Sequence, residues 1–292
     1  MCGRYASSRR PEDLVEEFEI DRSEVKETLA ADYNVAPTKE VYAVLERPPR
    51  GSPEVPEQDR GVQRQLRVLT WGLVPSWAKD PAIGSRLINA RMETADEKPA
   101  FRKAFAARRC LLPADGYYEW YTTAARTKAG KPVKQPFFIR PKDGGVLAMA
   151  GLYEIWRDPT KGDDDPDRFR WTCTILTTTA EDGLGRIHDR MPLLVERDGY
   201  DAWLDPTRST TGDLKDLLVP AAPGRLEAYP VSRAVNNVRN NGRELVDPLP
   251  AEEVQEVETE LESPHLGRAD DRPTGQRSTA RQPAQRNEAQ RR

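Results

Sequence analysis

The sequence predicts an α+β domain over residues 1–250, built on a largely antiparallel, barrel-like β-sheet with flanking helices and followed by a disordered charged tail over residues 251–292. Three observations predict it. Short segments rich in β-branched and aromatic residues recur along the chain, with brief helical patterns between them. There is no βαβ alternation and no internal repeat, which argues against a parallel doubly wound sheet. Hydrophobic residues make up only 37% of the 292 and charged residues 32%, so part of the chain lacks the apolar side chains to fold.

Taken in order, Pro11 to Ile20 reads as a helix, with Leu14, Val15 and Phe18 on one face and acids near its start. Ser23 to Ala30 reads as a second, with Ser23 as N-cap. Tyr33 to Thr38 is expected to turn into a strand over Val41 to Leu45. Four prolines make Arg47 to Arg60 an excursion loop, and Leu66 to Trp71 resumes a strand. The stretch from Trp71 to Trp77 is turn-rich, and a helix is expected around Pro99 to Ala107. Strands follow at Arg109 to Pro113, Tyr117 to Tyr121, Pro136 to Arg140, and Val146 to Trp156, the last with a break at Gly151. Asp158 to Asp167 is a second, acidic excursion before a strand over Trp171 to Thr178. Short helices at Gly199 to Leu204 and Gly212 to Leu218 precede a last strand near Leu226 to Val231. Beyond Pro250 the chain is first acidic and then rich in Arg, Gln, Pro and Ala, unable to offset its ordering entropy by burial. Its arginines fit weak, salt-sensitive phosphate contact or plain solubility.

The net charge of −3 gives no overall pull toward nucleic acid, so such a partner would need a local basic patch. No apolar leader and no run of 18 apolar residues is present, so the expectation is an intracellular protein without a membrane partner. Cys2, Cys110 and Cys173 are odd in number and far apart, which fits a reducing compartment, and the latter two sit in apolar strands as core residues. With His188 and His265 the only histidines, neither a metal nor another cofactor is expected.

Four strings are too rich in polar and reactive groups for ordinary core. The first is Met1-Cys2-Gly3-Arg4-Tyr5. Loss of Met1 would leave an α-amine and a thiol on adjacent carbons of Cys2, although a cysteine at position 2 can also be incidental. In Asn89-Ala90-Arg91-Met92-Glu93-Thr94, Asn89 could orient a nucleophile or cap a turn. In Gly116-Tyr117-Tyr118-Glu119-Trp120, Glu119 lies among aromatics, where desolvation would make it an acid–base group near neutral pH; alternatively it faces water from an edge strand. In Ile187-His188-Asp189-Arg190-Met191-Pro192, His188 could titrate near neutrality or hold a phosphate, or simply be satisfied by Asp189.

Met1-Cys2-Gly3-Arg4-Tyr5, Tyr33-Asn34-Val35-Ala36-Pro37, Trp71-Gly72-Leu73-Val74-Pro75, Ile88-Asn89-Ala90-Arg91, Gly116-Tyr117-Tyr118-Glu119-Trp120, His188-Asp189-Arg190-Met191-Pro192 and Val231-Ser232-Arg233-Ala234-Val235 occur in an order that closely resembles the SOS-response-associated peptidase family of abasic-site shielding proteins. The resemblance runs from Met1 to about Pro248 and omits the tail and both excursions. It implies a single-stranded DNA partner holding an abasic site, and a covalent thiazolidine formed from the amine and thiol of Cys2 with the ring-opened aldehyde. By the same resemblance, Glu119 shuttles protons, Asn89 positions the Cys2 amine and the sugar, and His188 stabilises a phosphate or sugar oxygen. Arg4, Arg91 and Arg190 would pair with phosphates. Pro37 and Trp77 would hold bases apart, with Thr177 also on the DNA path, while plain core remains a second reading of Trp77. Ala78 stands where many members carry a second aromatic residue. Met1 would leave by self-processing or by an aminopeptidase, and lyase-like chemistry is conceivable. A monomer is expected, nucleoid-associated in the cytoplasm if the source is bacterial, with replication-fork proteins as further partners. Two other classes compete. One is the N-terminal-nucleophile amidohydrolases, which use a freed Cys2 as thiolate. The other is a non-covalent module for single-stranded or junction DNA.

Overall fold

The computed structural model describes residues 2–48, 61–180, 182–216 and 224–262, and in it two sheets share one core. Five strands close into a barrel: β4 (Glu40–Arg47), β5 (Gln63–Trp71), β7 (Arg109–Ala114), β10 (Leu147–Arg157) and β11 (Phe169–Thr179). The order β11–β10–β7–β4–β5 is antiparallel. The ring closes where β11 meets β5 in parallel, with Thr172 opposite Thr70 and Cys173 opposite Trp71. Closure leaves no open edge within the ring to recruit another chain. A second sheet has the order β13 (Leu226–Pro230), β9 (Pro132–Pro141), β8 (Gly116–Arg126), β1 (Tyr5–Ser7) and β3 (Asp32–Val35).

Period-two alternation explains the layers. Val41, Ala43 and Leu45 of β4 join Cys110, Leu112, Cys173 and Ile175 in a core that also takes Tyr5, Tyr117 and Phe137 from the second sheet. The intervening Tyr42 and Val44 face outward beneath helices α1 (Pro11–Glu17), α2 (Arg102–Ala107), α3 (Tyr200–Leu204) and α4 (Thr211–Asp216), which contribute Leu14, Phe105, Trp203 and Leu214. On its far face the second sheet carries Tyr118 and Phe138, covered by Val235 and Leu245 from 3₁₀ turns at Arg233–Asn236 and Arg243–Val246. Among the described residues no helix is long and apolar enough to cross a membrane.

Several local expectations are corrected. Ser23 to Ala30 is not helical. Arg22–Ser23 forms β2, parallel to β5, and Val25 and Leu29 pack against the outer core from an irregular chain. Their i,i+4 spacing mimics a helix, but sheet pairing and the bond from the Leu29 amide to the Tyr42 hydroxyl (2.7 Å) decide the backbone. Residues 33–35 lie in β3 rather than in a turn, because Val35 pairs with Tyr5. Gly151 does not interrupt β10. A Cβ there would come within 3.0 Å of both the Cys110 sulfur and the Thr174 carbonyl, so the glycine permits close strand packing. The segment expected to be disordered begins with a helix, α5 (Ala251–Glu262), whose Val257 and Leu261 pack on the shared core. Residues 263–292 and 49–60 lie outside the described residues.

Candidate active site

The candidate site draws on four distant segments, and the second sheet explains how Cys2 reaches it. Tyr5 pairs with Tyr117 and Ala6 with Gly116, and the Tyr118 amide donates to the Arg4 carbonyl at 2.9 Å. Continuing that antiparallel register sets Gly3 opposite Glu119 and brings Cys2 alongside. Cys2 has no exposed surface. Its thiol lies 4.0 Å from the Arg4 carbonyl, and burial, followed by the Glu119 charge, pushes its pKa far above the ordinary thiol range. The resting sulfur is therefore a thiol, not a thiolate.

Asn89 arrives from the barrel side. It begins β6 (Asn89–Arg91), which extends the sheet by pairing with β11, Asn89 opposite Ile175. Its Nδ2 donates to the Cys2 carbonyl at 2.7 Å. Its Oδ1 is buried and accepts no bond among the described residues. Of the two readings of Asn89, orientation of Cys2 is the one the contact supports.

Glu119 is 3% exposed, in the middle of β8 with β1 and β9 on either side, and so is not an edge-strand residue facing water. Burial pushes its pKa up to about 7. The positive amino terminus and a hydrogen bond from it pull the value down, and Asp189 pushes it further up. A carboxyl poised there can both give and take a proton near neutral pH.

His188 lies between a 3₁₀ turn at Asp182–Arg186 and β12 (Arg190–Pro192). The Arg190 amide donates to its Nδ1 at 3.0 Å, so the neutral ring carries its proton on Nε2. Asp189 comes within 3.1 Å of the same Nδ1, a contact that would be an ion pair only on protonation. Burial and the amino-terminal charge lower the His188 pKa against the opposing pull of Asp189, and the bond to Nδ1 keeps that nitrogen an acceptor. The neutral ring is the resting form.

The cations expected to meet phosphate are engaged to different degrees. The Arg4 guanidinium donates to Asn34 Oδ1 at 2.6 Å and to the Val235 carbonyl at 3.0 Å, and sits 5.8 Å from the Trp120 ring. Asn34 is itself held by three carbonyls, those of Val235, Asn237 and Asn240. Arg190 grips both carboxylate oxygens of Glu93, at 2.5 and 3.0 Å, and also donates to the Thr177 carbonyl at 2.6 Å. Arg91 is exposed. Thr177, expected on the DNA path, is fully buried, and its carbonyl and hydroxyl seat Arg190.

Trp77 is 57% exposed, so the core reading of this residue does not hold, whereas Trp71 is fully buried. Its loop is pinned by two glycines. Gly72 has φ +136°, and a Cβ there would come within 2.8 Å of the Gly84 carbonyl oxygen. Ala78 points inward, against Trp156, whose indole N–H donates to the Ala78 carbonyl at 2.7 Å, so no aromatic wedge is presented from position 78. Pro37 is half-buried just beyond β3.

Two residues of the pocket region were not singled out by their sequence. Glu93 binds Arg190, as above. Tyr117 is buried on the same face of β8 as Glu119, and burial above all raises its pKa well above the ordinary phenol value. Its two-residue spacing from Glu119 in a strand was the available signal.

Residues 1–238 match the family model described as SOS response associated peptidase (SRAP). The abasic site processing protein YoaM of Bacillus subtilis is 38% identical over 247 residues, covering 85% of this chain and 98% of that protein. The abasic site processing protein YedK of Escherichia coli is 34% identical over 258 residues, covering 85% of this chain and 100% of its own length. Among solved structures, a Bacteroides thetaiotaomicron protein matches with a TM-score of 0.66 at 23% identity, covering 85% of this chain and all of that one, a likeness of fold.

Proposed function

Since the chain belongs to the SOS response associated peptidase family, we propose that it processes abasic sites in single-stranded DNA by forming a covalent thiazolidine between Cys2, freed of Met1, and the open-chain sugar aldehyde. The observation that carries this reading is the grouping of Cys2, held through its carbonyl by Asn89, with a Glu119 whose carboxyl titrates near 7.

The order of steps follows from the protonation states. A buried thiol with a strongly raised pKa is a poor first nucleophile, so the amine attacks the aldehyde. Loss of water gives the imine. The thiol S–H then adds across C=N: sulfur bonds to carbon and the proton ends on nitrogen. This second attack is intramolecular, where effective molarities reach roughly 10⁵–10⁸ M. Glu119 moves the protons, and neutral His188, with its proton on Nε2, donates to a sugar or phosphate oxygen. Ring closure removes the imine that would otherwise promote β-elimination and strand cleavage. The same raised thiol pKa counts against an amidohydrolase that works through a Cys2 thiolate.

The test mixes Met1-free protein with a single-stranded oligonucleotide carrying one abasic site and resolves the products on a denaturing gel. A denaturant-stable adduct should form with wild type, and none with Cys2→Ala or with intact DNA. Wild type that binds reversibly and equally to both DNAs would refute the covalent reading and favour a simple binding module. An adduct with Cys2→Ser that is labile and accompanied by more strand cleavage would mark the imine stage.

A further inference from the structure

Tyr117 is 1% exposed, and its hydroxyl oxygen has no hydrogen-bond partner among the described residues. Neighbouring tyrosines behave differently. Tyr118 donates to the Tyr33 carbonyl at 2.7 Å and Tyr229 to the Val246 carbonyl at 2.9 Å. A buried phenol left without a partner is costly, and such groups call for a role that the resting fold does not show. The location supplies one. Tyr117 precedes Glu119 by two residues on β8 and so projects from the same face, within the cluster that also buries Cys2.

We propose that Tyr117 is a further catalytic residue, whose hydroxyl donates a hydrogen bond to the oxygen of the substrate aldehyde as that oxygen gains charge and leaves as water. The inference rests on the abasic-site reading above. As the amine nitrogen bonds to the aldehyde carbon, the C=O π pair moves onto oxygen. Glu119 passes a proton from the nitrogen to that oxygen, giving the carbinolamine. A second proton moved by the same route lets the C–O bond break. The imine remains, and both protons of the amine end on the departing water. Tyr117 keeps its own proton throughout. Burial holds its pKa well above the ordinary phenol value, so it stays a donor across the working pH range. A donor fixed at the site of developing charge needs no reorganisation when the reaction occurs.

The test is Tyr117→Phe, which removes one oxygen and leaves the ring in place. Single-turnover adduct formation is followed over a range of abasic-oligonucleotide concentrations, and thermal unfolding is measured alongside. The maximal rate is expected to fall at least about tenfold while the half-saturating DNA concentration stays unchanged. The unfolding midpoint should hold or rise, because an unpaired buried hydroxyl has gone. A maximal rate within about twofold of wild type overturns the proposal. So does a lowered midpoint with the rate preserved, which would give the hydroxyl a structural partner. Wild type that forms no adduct overturns the parent reading instead, and that outcome is seen before any variant is compared.

Discussion

Replacing Glu119 by Gln should stabilise the protein at alkaline pH and slow its chemistry, a combination few substitutions produce. A carboxyl that ordinarily titrates at 4.5 and here at about 7 binds its proton more tightly in the folded chain than in the unfolded one. Stability therefore falls as pH rises between those values, and the loss is complete above the folded pKa. Each pH unit of the interval is worth about 1.4 kcal/mol. Ionised Glu119 thus costs the fold about 1 kcal/mol near pH 5 and about 3 kcal/mol near pH 8, as expected for a side chain only 3% exposed. Glutamine cannot ionise and escapes this penalty. In urea unfolding of both proteins, the advantage of Glu119→Gln over wild type should widen by about 2 kcal/mol between those two pH values. The same variant should form adduct more slowly, without the rate inflection near neutral pH expected of wild type. An advantage of equal size at both pH values would mean an ordinary carboxylate, and the proton-shuttle assignment would fall with it.

Asn89→Ala removes the bond that holds the Cys2 carbonyl at 2.7 Å; adduct formation in a single-turnover assay should slow by about tenfold to a hundredfold while far-ultraviolet circular dichroism is unchanged. Glu93→Gln leaves Arg190 without its bidentate carboxylate, so fluorescence anisotropy should show tighter binding of a single strand and a steeper salt dependence, by about 0.7 in the log–log slope; an unchanged slope would mean that Arg190 does not reach phosphate. Trp77→Ala should leave the unfolding midpoint where it is, since the ring is mostly in solvent, yet weaken single-strand binding by about 1–3 kcal/mol if a base stacks there. Gly72→Ala should lower stability by about 2 kcal/mol or more, read from urea midpoints, because its φ of +136° and the Gly84 carbonyl leave no room for a methyl group.

The fold was legible wherever one periodicity operated without competition. The barrel strands are buried on both faces, and Trp171 to Thr178 or Val41 to Leu45 could be read from their unbroken runs of apolar, β-branched and aromatic side chains. Ser23 to Ala30 could not. Its helical spacing is real, but β5 offers a parallel partner and Tyr42 a hydroxyl, and both are remote in sequence. Gly151 was misread for a related reason, since nothing local announces that Cys110 and Thr174 crowd its Cα. In the site, the ordered strings indicated Cys2, Asn89, Glu119 and His188, and the structure brings the first three together and sets His188 under the same amino-terminal charge as Glu119. What spacing could not give was which polar groups are already satisfied. That Arg190 is clasped by Glu93, that Thr177 serves Arg190, and that the Tyr117 hydroxyl has no mate among the described residues are facts of three-dimensional pairing.

The position of β1 between β3 and β8 has a consequence in time. One neighbour of this strand is encoded at residues 32–35, but the other spans residues 116–126. On a ribosome adding about 5–20 residues per second, the strand that will cover Cys2 leaves synthesis on the order of ten seconds after Cys2 itself. Until then the start of the chain is uncovered; afterwards Cys2 has no exposed surface. Nascent chains stalled before residue 116 should lose Met1 readily to an added aminopeptidase, and whole folded chains that still carry it should lose it far more slowly. Under the proposed chemistry, an aminopeptidase reaches Met1 most readily during translation, before the strand that encloses Cys2 exists.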